Sequence, residues 1–395
     1  MKVAYSIAGE GFGHAARMVC LVPRLVEKAE LHLFCPETVQ GYVRGRLPNV
    51  PIRNIPHFGF VKRGDRVLVA ATIVSALRRL PGFLRQVVLL ARLLQAEGFD
   101  AVISDFDPYL AWAGRLAGLM VVQINHPGII TKHLSVNPRS WPAALAALLL
   151  EGPWHRRVHC SFYQGDVGPL LRPELLNRPR SRSGSWVLHL KPEYREWVVP
   201  ALEQAGLVPY DIYPKAGGDF DAALASARGV ISSAGHQIIS EALVLGKPIL
   251  VIPQGGQYEQ ALNAHQLEKT GRGLVCSRRT LEARLRRFRF WAESFSRQQE
   301  DGLLTTFTDD TSRAVQLLGS YLDEAALPLN QRSRKSPSAE VKGVMERRLP
   351  RRSRIISANS GLVLSSVRGT NRVFSTNSTS TWTQRGASRC AFGSK

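Results

Sequence analysis

The chain has 395 residues, enough for two domains of ordinary size, and at 44% hydrophobic and 21% charged it can bury substantial cores. Its 52 Lys and Arg against 31 Asp and Glu leave +21, a balance that suits nucleic acid or a membrane surface. From Pro328 to Lys395, however, 14 bases and 2 acids hold +12, so residues 1–327 carry only +9 and the excess describes mainly the tail.

The N-terminus opens with a compact apolar strand, Lys2 to Ala8. It is too short and polar for a signal peptide, and it runs straight into Gly9-Glu10-Gly11. A helix from His14 to Lys28 and a strand from Leu31 to Cys35 follow. Ile73 to Gln95 reads as a helix broken near Pro81-Gly82. Ala101 to Ser104 is a strand, Tyr109 to Ala117 a helix and Met120 to Ile124 a strand, a rhythm that predicts a parallel sheet covered by helices. Around Arg172 to Gly184 the pattern lapses into Arg, Pro, Ser and Gly, as an interdomain link would.

The rhythm then resumes. Strands are expected at Trp186 to Leu190, Gly229 to Ser232 and Pro248 to Ile252. Helices are expected at Tyr194 to Ala205, Asp219 to Ser226 and His236 to Leu245. Leu281, Leu285, Phe288, Trp291 and Phe295 share one helical face, and Thr311 to Leu322 is a last amphipathic helix. The expected fold class is therefore α/β, with two Rossmann-like domains facing a cleft: residues 1–171 and 185–327, linked by 172–184. Residues 328–395 form a basic tail of low order, read as a dispensable extension in preference to an arm for anionic lipid or nucleic acid. Five scattered cysteines (Cys20, Cys35, Cys160, Cys276, Cys390) contain no CxxC pair and argue against a disulfide framework. Together with the lack of an apolar run near the roughly 20 residues that span a bilayer, they point to a cytoplasmic protein, at most resting on the inner face of the membrane.

Chemistry concentrates in two stretches. In Gly229 to Gly273 a strand ends at Ser233, and a turn through Ala234 and Gly235 leads to a helix opening at His236. A glycine there lets backbone approach a ligand, and the helix N-terminus offers free amides and positive dipole to a diphosphate. The next strand ends at Pro253, followed by Gln254-Gly255-Gly256-Gln257-Tyr258-Glu259-Gln260 and then Asn263 on a helix.

In the first half, Gly9-Glu10-Gly11-Phe12-Gly13-His14-Ala15-Ala16-Arg17 follows the first strand. Its glycines do not match GxGxxG, and no acid stands at the end of the second strand, so dinucleotide binding is weakly supported. His14 can act as a base near neutral pH, with Asp105 or Asp107 of Ser104-Asp105-Phe106-Asp107-Pro108 to orient it. The competing reading has His14 capping or packing its helix. Asp105-Phe106-Asp107 also has a metal-binding DxD form, but three residues are weak evidence and no metal is expected. His126, in Asn125-His126-Pro127-Gly128, reaches the same cleft as an acceptor contact or as a structural histidine.

The serine-glycine turn, Glu241-Ala242-Leu243, Gly246-Lys247-Pro248 and Pro253 through Gln260 to Asn263 together resemble the donor half of GT-B glycosyltransferases. The likeness is to the family 28-like group that includes peptidoglycan N-acetylglucosaminyltransferase and glycolipid glucosyltransferases. The first loop resembles that group's GxGH segment, with Gly9, Gly11 and Gly13 keeping the cleft open. The resemblance implies transfer from a nucleotide sugar, commonly a UDP-sugar, to a hydroxyl acceptor, with inversion and no required cofactor. It implies that Ser233, Gly235 and His236 face the diphosphate, that Glu241 meets the ribose, that Gln257, Glu259 and Gln260 face the sugar or ribose, and that Pro253 and Asn263 belong to the same donor site. Ala234 departs from the family pattern, where a second glycine is common. A UDP-sugar 2-epimerase of the same fold, or a non-catalytic nucleotide-sugar or nucleic-acid binder, is the alternative.

Two stripes bear on the basic charge: Ile73 to Gln95 with Arg78, Arg79, Arg85 and Arg92, and apolar Trp141 to Leu150 near Arg156 and Arg157. Either suits an anionic membrane and a lipid-linked or glycan acceptor. Plain core helices are the preferred reading, and no specific nucleic acid is expected.

Overall fold

The computed structural model describes residues 1–59, 61–64, 66–133, 141–300 and 306–327. The basic tail, 328–395, and with it Cys390, lies outside the described residues.

In chain order the first half comprises β1 (Lys2–Ile7), α1 (Gly13–Leu25), β2 (Glu30–Cys35), α2 (Glu37–Arg46), β3 (Ile52–Asn54), the hairpin β4 (Lys62–Arg63) and β5 (Arg66–Val67), and α3 (Val69–Ala96). It continues with β6 (Ala101–Asp105), α4 (Pro108–Leu116), β7 (Met120–Asn125), a 3-10 turn at Pro127–His133, α5 (Trp141–Glu151) and β8 (Arg156–His159). A short helix, α6 (Pro173–Leu176), lies within the connecting segment.

The second half holds β9 (Trp186–His189), α7 (Pro192–Gln204), β10 (Tyr210–Tyr213), α8 (Phe220–Ser226), β11 (Val230–Ser233), α9 (His236–Val244), β12 (Ile249–Ile252), α10 (Tyr258–Lys269), β13 (Gly273–Val275) and α11 (Leu281–Glu300). The chain closes on α12 (Thr311–Ala325).

Both large sheets are parallel. The first runs β3-β2-β1-β6-β7-β8 and the second β10-β9-β11-β12-β13. Their strands are near-continuous apolar runs because helices cover both faces, and β6, β7 and β12 are buried along their whole length. In each sheet the strand order reverses once, at β1/β6 and at β9/β11. Such a reversal opens a crevice at the carboxyl ends of the strands. His14 follows β1, Asp105 ends β6 and Ser233 ends β11, so the residues read as chemical sit at the two crevices. The two Rossmann-like halves expected from the sequence are the observed architecture.

Three features depart from expectation. Pro81 does not break α3, which runs unbroken from Val69 to Ala96. Residues 77 to 82 are all exposed, so the one carbonyl that Pro81 leaves without an N–H partner lies in a stretch open to solvent. The last helix, α12, read with the second half, packs on the first: Ala314, Val315, Leu318 and Leu322 join Tyr5, Met18 and Leu33 in one core. Finally, α3 and α5 are core helices on one face only. Val87, Leu90, Ala91 and Leu94 of α3 are buried, whereas Leu77 and Leu84 are 65% and 55% exposed. Among the described residues no helix is long and apolar enough to cross a membrane.

Candidate active site

The site is built first from β1, α1 and β6. The loop Gly9–Phe12 releases the chain from β1 into α1, whose first turn carries His14. Gly9 is required for packing, because a Cβ there would stand 2.9 Å from both His57 and Pro36. Gly11 has φ +79°, the left-handed region that favours glycine. Gly13 faces the other half, its nearest neighbour beyond the local chain being Cβ of Gln237 on α9.

His14 Nδ1 lies 2.7 Å from Asp105 Oδ1. With a carboxylate at Nδ1, that nitrogen carries the proton and Nε2 is left as the basic nitrogen. Nε2 makes no protein hydrogen bond among the described residues. Arg17, one helical turn on, donates from Nε to Asp105 Oδ2 at 2.6 Å and from Nη2 to Oδ1 at 3.1 Å. Asp105 is fully buried. Burial pushes its carboxyl up, but the attraction of Arg17 and then of His14 outweighs this and holds it below its ordinary value. Next to it, Phe106 adopts φ +60°, a strained geometry for a side chain of that size, and stacks on the His14 ring at 6.0 Å.

Asp107 is turned to another task. Its carboxylate caps α4, accepting from the amides of Tyr109 at 3.2 Å and Leu110 at 2.9 Å. Burial pushes it up to about 6, against those two bonds. Both carboxylates of the DxD sequence are thus engaged by the protein. Among the described residues, no three His, Cys, Asp or Glu side chains gather as metal ligands do.

The second half meets this centre through α9 and α10. The N-terminus of α9 follows Gly235 with no side-chain cap, and that of α1 is likewise uncapped after Phe12. The proximity of Gly13 to Gln237 brings these two helix openings together. A Cβ at Gly235 would meet only Ile238, at 3.9 Å, so no close packing within the protein demands glycine there.

His126 and His236 stack with centroids 3.7 Å apart. His126 Nδ1 lies 2.9 Å from the Cys160 carbonyl, and its Nε2 lies 2.8 Å from Asn263 Oδ1, across the halves. Burial pushes His126 down to about 3 and His236 well below its ordinary value, so both rings are neutral at physiological pH. Asn263 Oδ1 accepts from Tyr163 Oη at 2.8 Å, and Asn263 Nδ2 donates to the Ala234 carbonyl at 3.1 Å. Glu259 Oε1 is 3.9 Å from His126 Nε2. Burial raises its carboxyl, while attraction to His14 and Arg17 pulls the other way. Residues singled out in both halves therefore converge.

Other residues sit differently. Glu241 is buried in an ion pair, its Oε1 taking Arg172 Nε at 3.0 Å, and Arg172 Nη1 also meets Asp221 at 2.6 Å. Ser233 and Pro253 lie at the carboxyl ends of β11 and β12, and Gln257 stands at the opening of α10. Gln260 receives the Gln254 amide at 2.9 Å and so shapes the loop. The hairpin closes over this loop, with the Val67 amide donating to the Gly255 carbonyl at 3.1 Å. Sequence reasoning missed Arg17 and Arg172 as site residues. Arg17 was findable, since i and i+3 share a helix face. Nothing local marks Arg172, whose partners come from α8 and α9.

A family model described as glycosyl transferase family 1 matches residues 1–146 and 203–289. No curated protein matches the chain. Solved structures do. CalG4, the calicheamicin glycosyltransferase, is 17% identical with a TM-score of 0.51, over 82% of this chain and 99% of that one. MurG of Acinetobacter baumannii is 15% identical with a TM-score of 0.51, over 81% and 99%. LpCGTa, solved in complex with UDP, is 16% identical with a TM-score of 0.51, over 83% and 100%. At such identities the likeness speaks for the fold, the paired-Rossmann GT-B architecture.

Proposed function

The chain belongs to glycosyl transferase family 1, and on that premise we propose that it moves a sugar from a UDP-sugar to a hydroxyl acceptor with inversion at the anomeric carbon. We assign residues 1–171, with α12 packed on them, to the acceptor, the remainder of 185–327 to the donor and 172–184 to the link. The observation that carries the reading is the meeting of His14, backed by Asp105 and Arg17, with two uncapped helix openings. Aligned amides at the α1 and α9 openings suit a diphosphate, and the dipoles stabilise charge as it leaves the sugar. The binding of UDP by LpCGTa, a protein of like fold, supports the nucleotide.

The acceptor oxygen attacks the anomeric carbon while the bond to the diphosphate breaks. The hydroxyl proton passes to His14 Nε2, and UDP departs. Asp105 fixes the tautomer and stabilises the imidazolium that forms. Ser233, Gly235 and His236 serve the diphosphate. Gln257, Glu259, Gln260 and Asn263 serve the sugar side, with His126 toward the acceptor. Arg172 must release Glu241 before that carboxylate meets a ribose. Among the described residues four buried thiols, none in a disulfide, suit a cytoplasmic setting.

The test is His14→Ala. UDP should still raise the melting temperature, while acceptor-dependent UDP release should fall by about two to four orders of magnitude. Unchanged turnover would remove His14 as the base. NMR of the product's anomeric centre reads the stereochemistry, and retention would overturn inversion.

A further inference from the structure

Three adjoining helices of the first half turn large apolar side chains to solvent. Leu77 and Leu84 of α3, Leu116 of α4, and Trp141, Leu145 and Leu149 of α5 are each more than half exposed. The helices are neighbours: α3 lies along α4, and α4 touches α5. Leu150 of α5 also lines a small pocket with Thr72, Ser75, Ala76 and Arg79 of α3. Exposed apolar area of this extent on one side of a protein marks an interaction surface.

The charge pattern identifies the partner. On α3, Leu77, Leu84 and Val88 form one stripe at helical spacing, and Arg78, Arg85 and Arg92 follow seven apart on the flank beside it. No acid occurs anywhere from Val69 to Ala96. On α5 the only charged residue, Glu151, is buried and paired with Arg157 at 2.9 Å, so the exposed side of that helix is purely apolar with a tryptophan at its start. An apolar stripe flanked by arginine, with tryptophan at its edge, is the pattern that beds into the boundary of an anionic bilayer. A second copy of the chain fits poorly, because a two-fold contact through this face would set arginine rows against each other with no acid on α3 to pair them.

We propose that the exposed sides of α3, α4 and α5 form a docking face for an anionic lipid bilayer. The apolar residues enter the interface and Arg78, Arg85 and Arg92 pair with lipid phosphates. The buried side of α5, Ala144 and Ala147, packs on Ile129 and Ile130 just after His126. Docking therefore places the acceptor side of the cleft about one helix diameter, roughly 10 Å, from the headgroups.

The experiment is flotation of the full chain with phosphatidylcholine vesicles, with and without phosphatidylglycerol, in the absence of donor and acceptor. Its outcome is therefore independent of the transfer reaction. The chain should float with the anionic vesicles and far less with the neutral ones. Leu145→Ser with Leu149→Ser, and separately Arg78→Glu with Arg85→Glu, should each weaken binding roughly tenfold or more while leaving the melting temperature unchanged. All the changed side chains are exposed, so folding is not at stake. The basic tail is present in every variant, so variants that float like the parent would assign lipid binding to the tail and overturn the proposal. Failure of the parent to float would overturn it too, as would a dimer in solution that Leu145→Ser with Leu149→Ser dissolves.

Discussion

Arg17 separates a histidine that merely sits near a carboxylate from one held by it. Its guanidinium forks onto both oxygens of buried Asp105, which in turn fixes His14. Arg17→Lys keeps the charge but loses the planar fork. Losing one charged hydrogen bond of about 1.5 to 3 kcal/mol should lower kcat about tenfold to a hundredfold. UDP binding should persist. With a weaker partner the Asp105 carboxyl rises toward its ordinary value, so the acidic limb of the pH–rate profile should move to higher pH. A lower melting temperature with normal kcat and an unmoved limb would make Arg17 purely structural.

Asp107 gives a prediction of opposite sign. Its folded value, about 6, lies above the ordinary 3.8, so the folded state binds the proton more tightly. That contribution is complete below about pH 4 and is lost as the pH rises through 6. Above that, the fold carries a buried carboxylate at a cost. Asp107→Asn keeps a capping side chain and removes the charge. It should stabilise the protein at pH 7.5 by up to about 3 kcal/mol and by far less at pH 4, as chemical denaturation at the two values would show. Transfer activity should be unchanged if Asp107 only caps α4, whereas a large loss would give its carboxylate a part in the reaction.

Among the elements, the longer ones were legible in the sequence because their apolar periodicity is strong. Leu281, Leu285, Phe288 and Phe295 are indeed buried together on one face of α11. Short elements such as β3, β10 and β13 carry three or four residues, too few for periodicity to speak. Much of the site was legible for a related reason: candidates that directly follow strands in a parallel sheet must open on one edge. Glu241 is different. Its place in the site depends on Arg172, a residue 69 positions away that reaches it only through tertiary folding.

The hairpin β4–β5 was also invisible, and its contact with the donor loop depends on one glycine. Gly256 has φ +75°, and a Cβ there would stand 2.7 Å from the Val67 carbonyl oxygen. Gly256→Ala should cost about 1 to 3 kcal/mol. It should also free the hairpin from the loop, read as faster amide exchange at Val67. Unchanged exchange there would show that the hairpin holds by other contacts.

At the scale of the molecule, the chain crosses between its halves twice, since α12 returns from the second half to cover the first sheet. Leu318 is fully buried there, beside residues of α1 and β1. The first half therefore lacks part of its core until the last helix has docked, although more than 300 residues precede that helix. Leu318→Ala should cost about 2 to 5 kcal/mol, like other large cavities in a packed core. Truncation sharpens the point. A chain ending at Leu327 retains every described element, and it should keep one cooperative melt and UDP binding. Its formal charge falls from +21 to +9. A chain ending at Asp310 strips apolar surface from the first sheet and should lose that half's cooperative transition, measured by calorimetry. If both truncations melt alike, α12 is an accessory and the two halves fold without it.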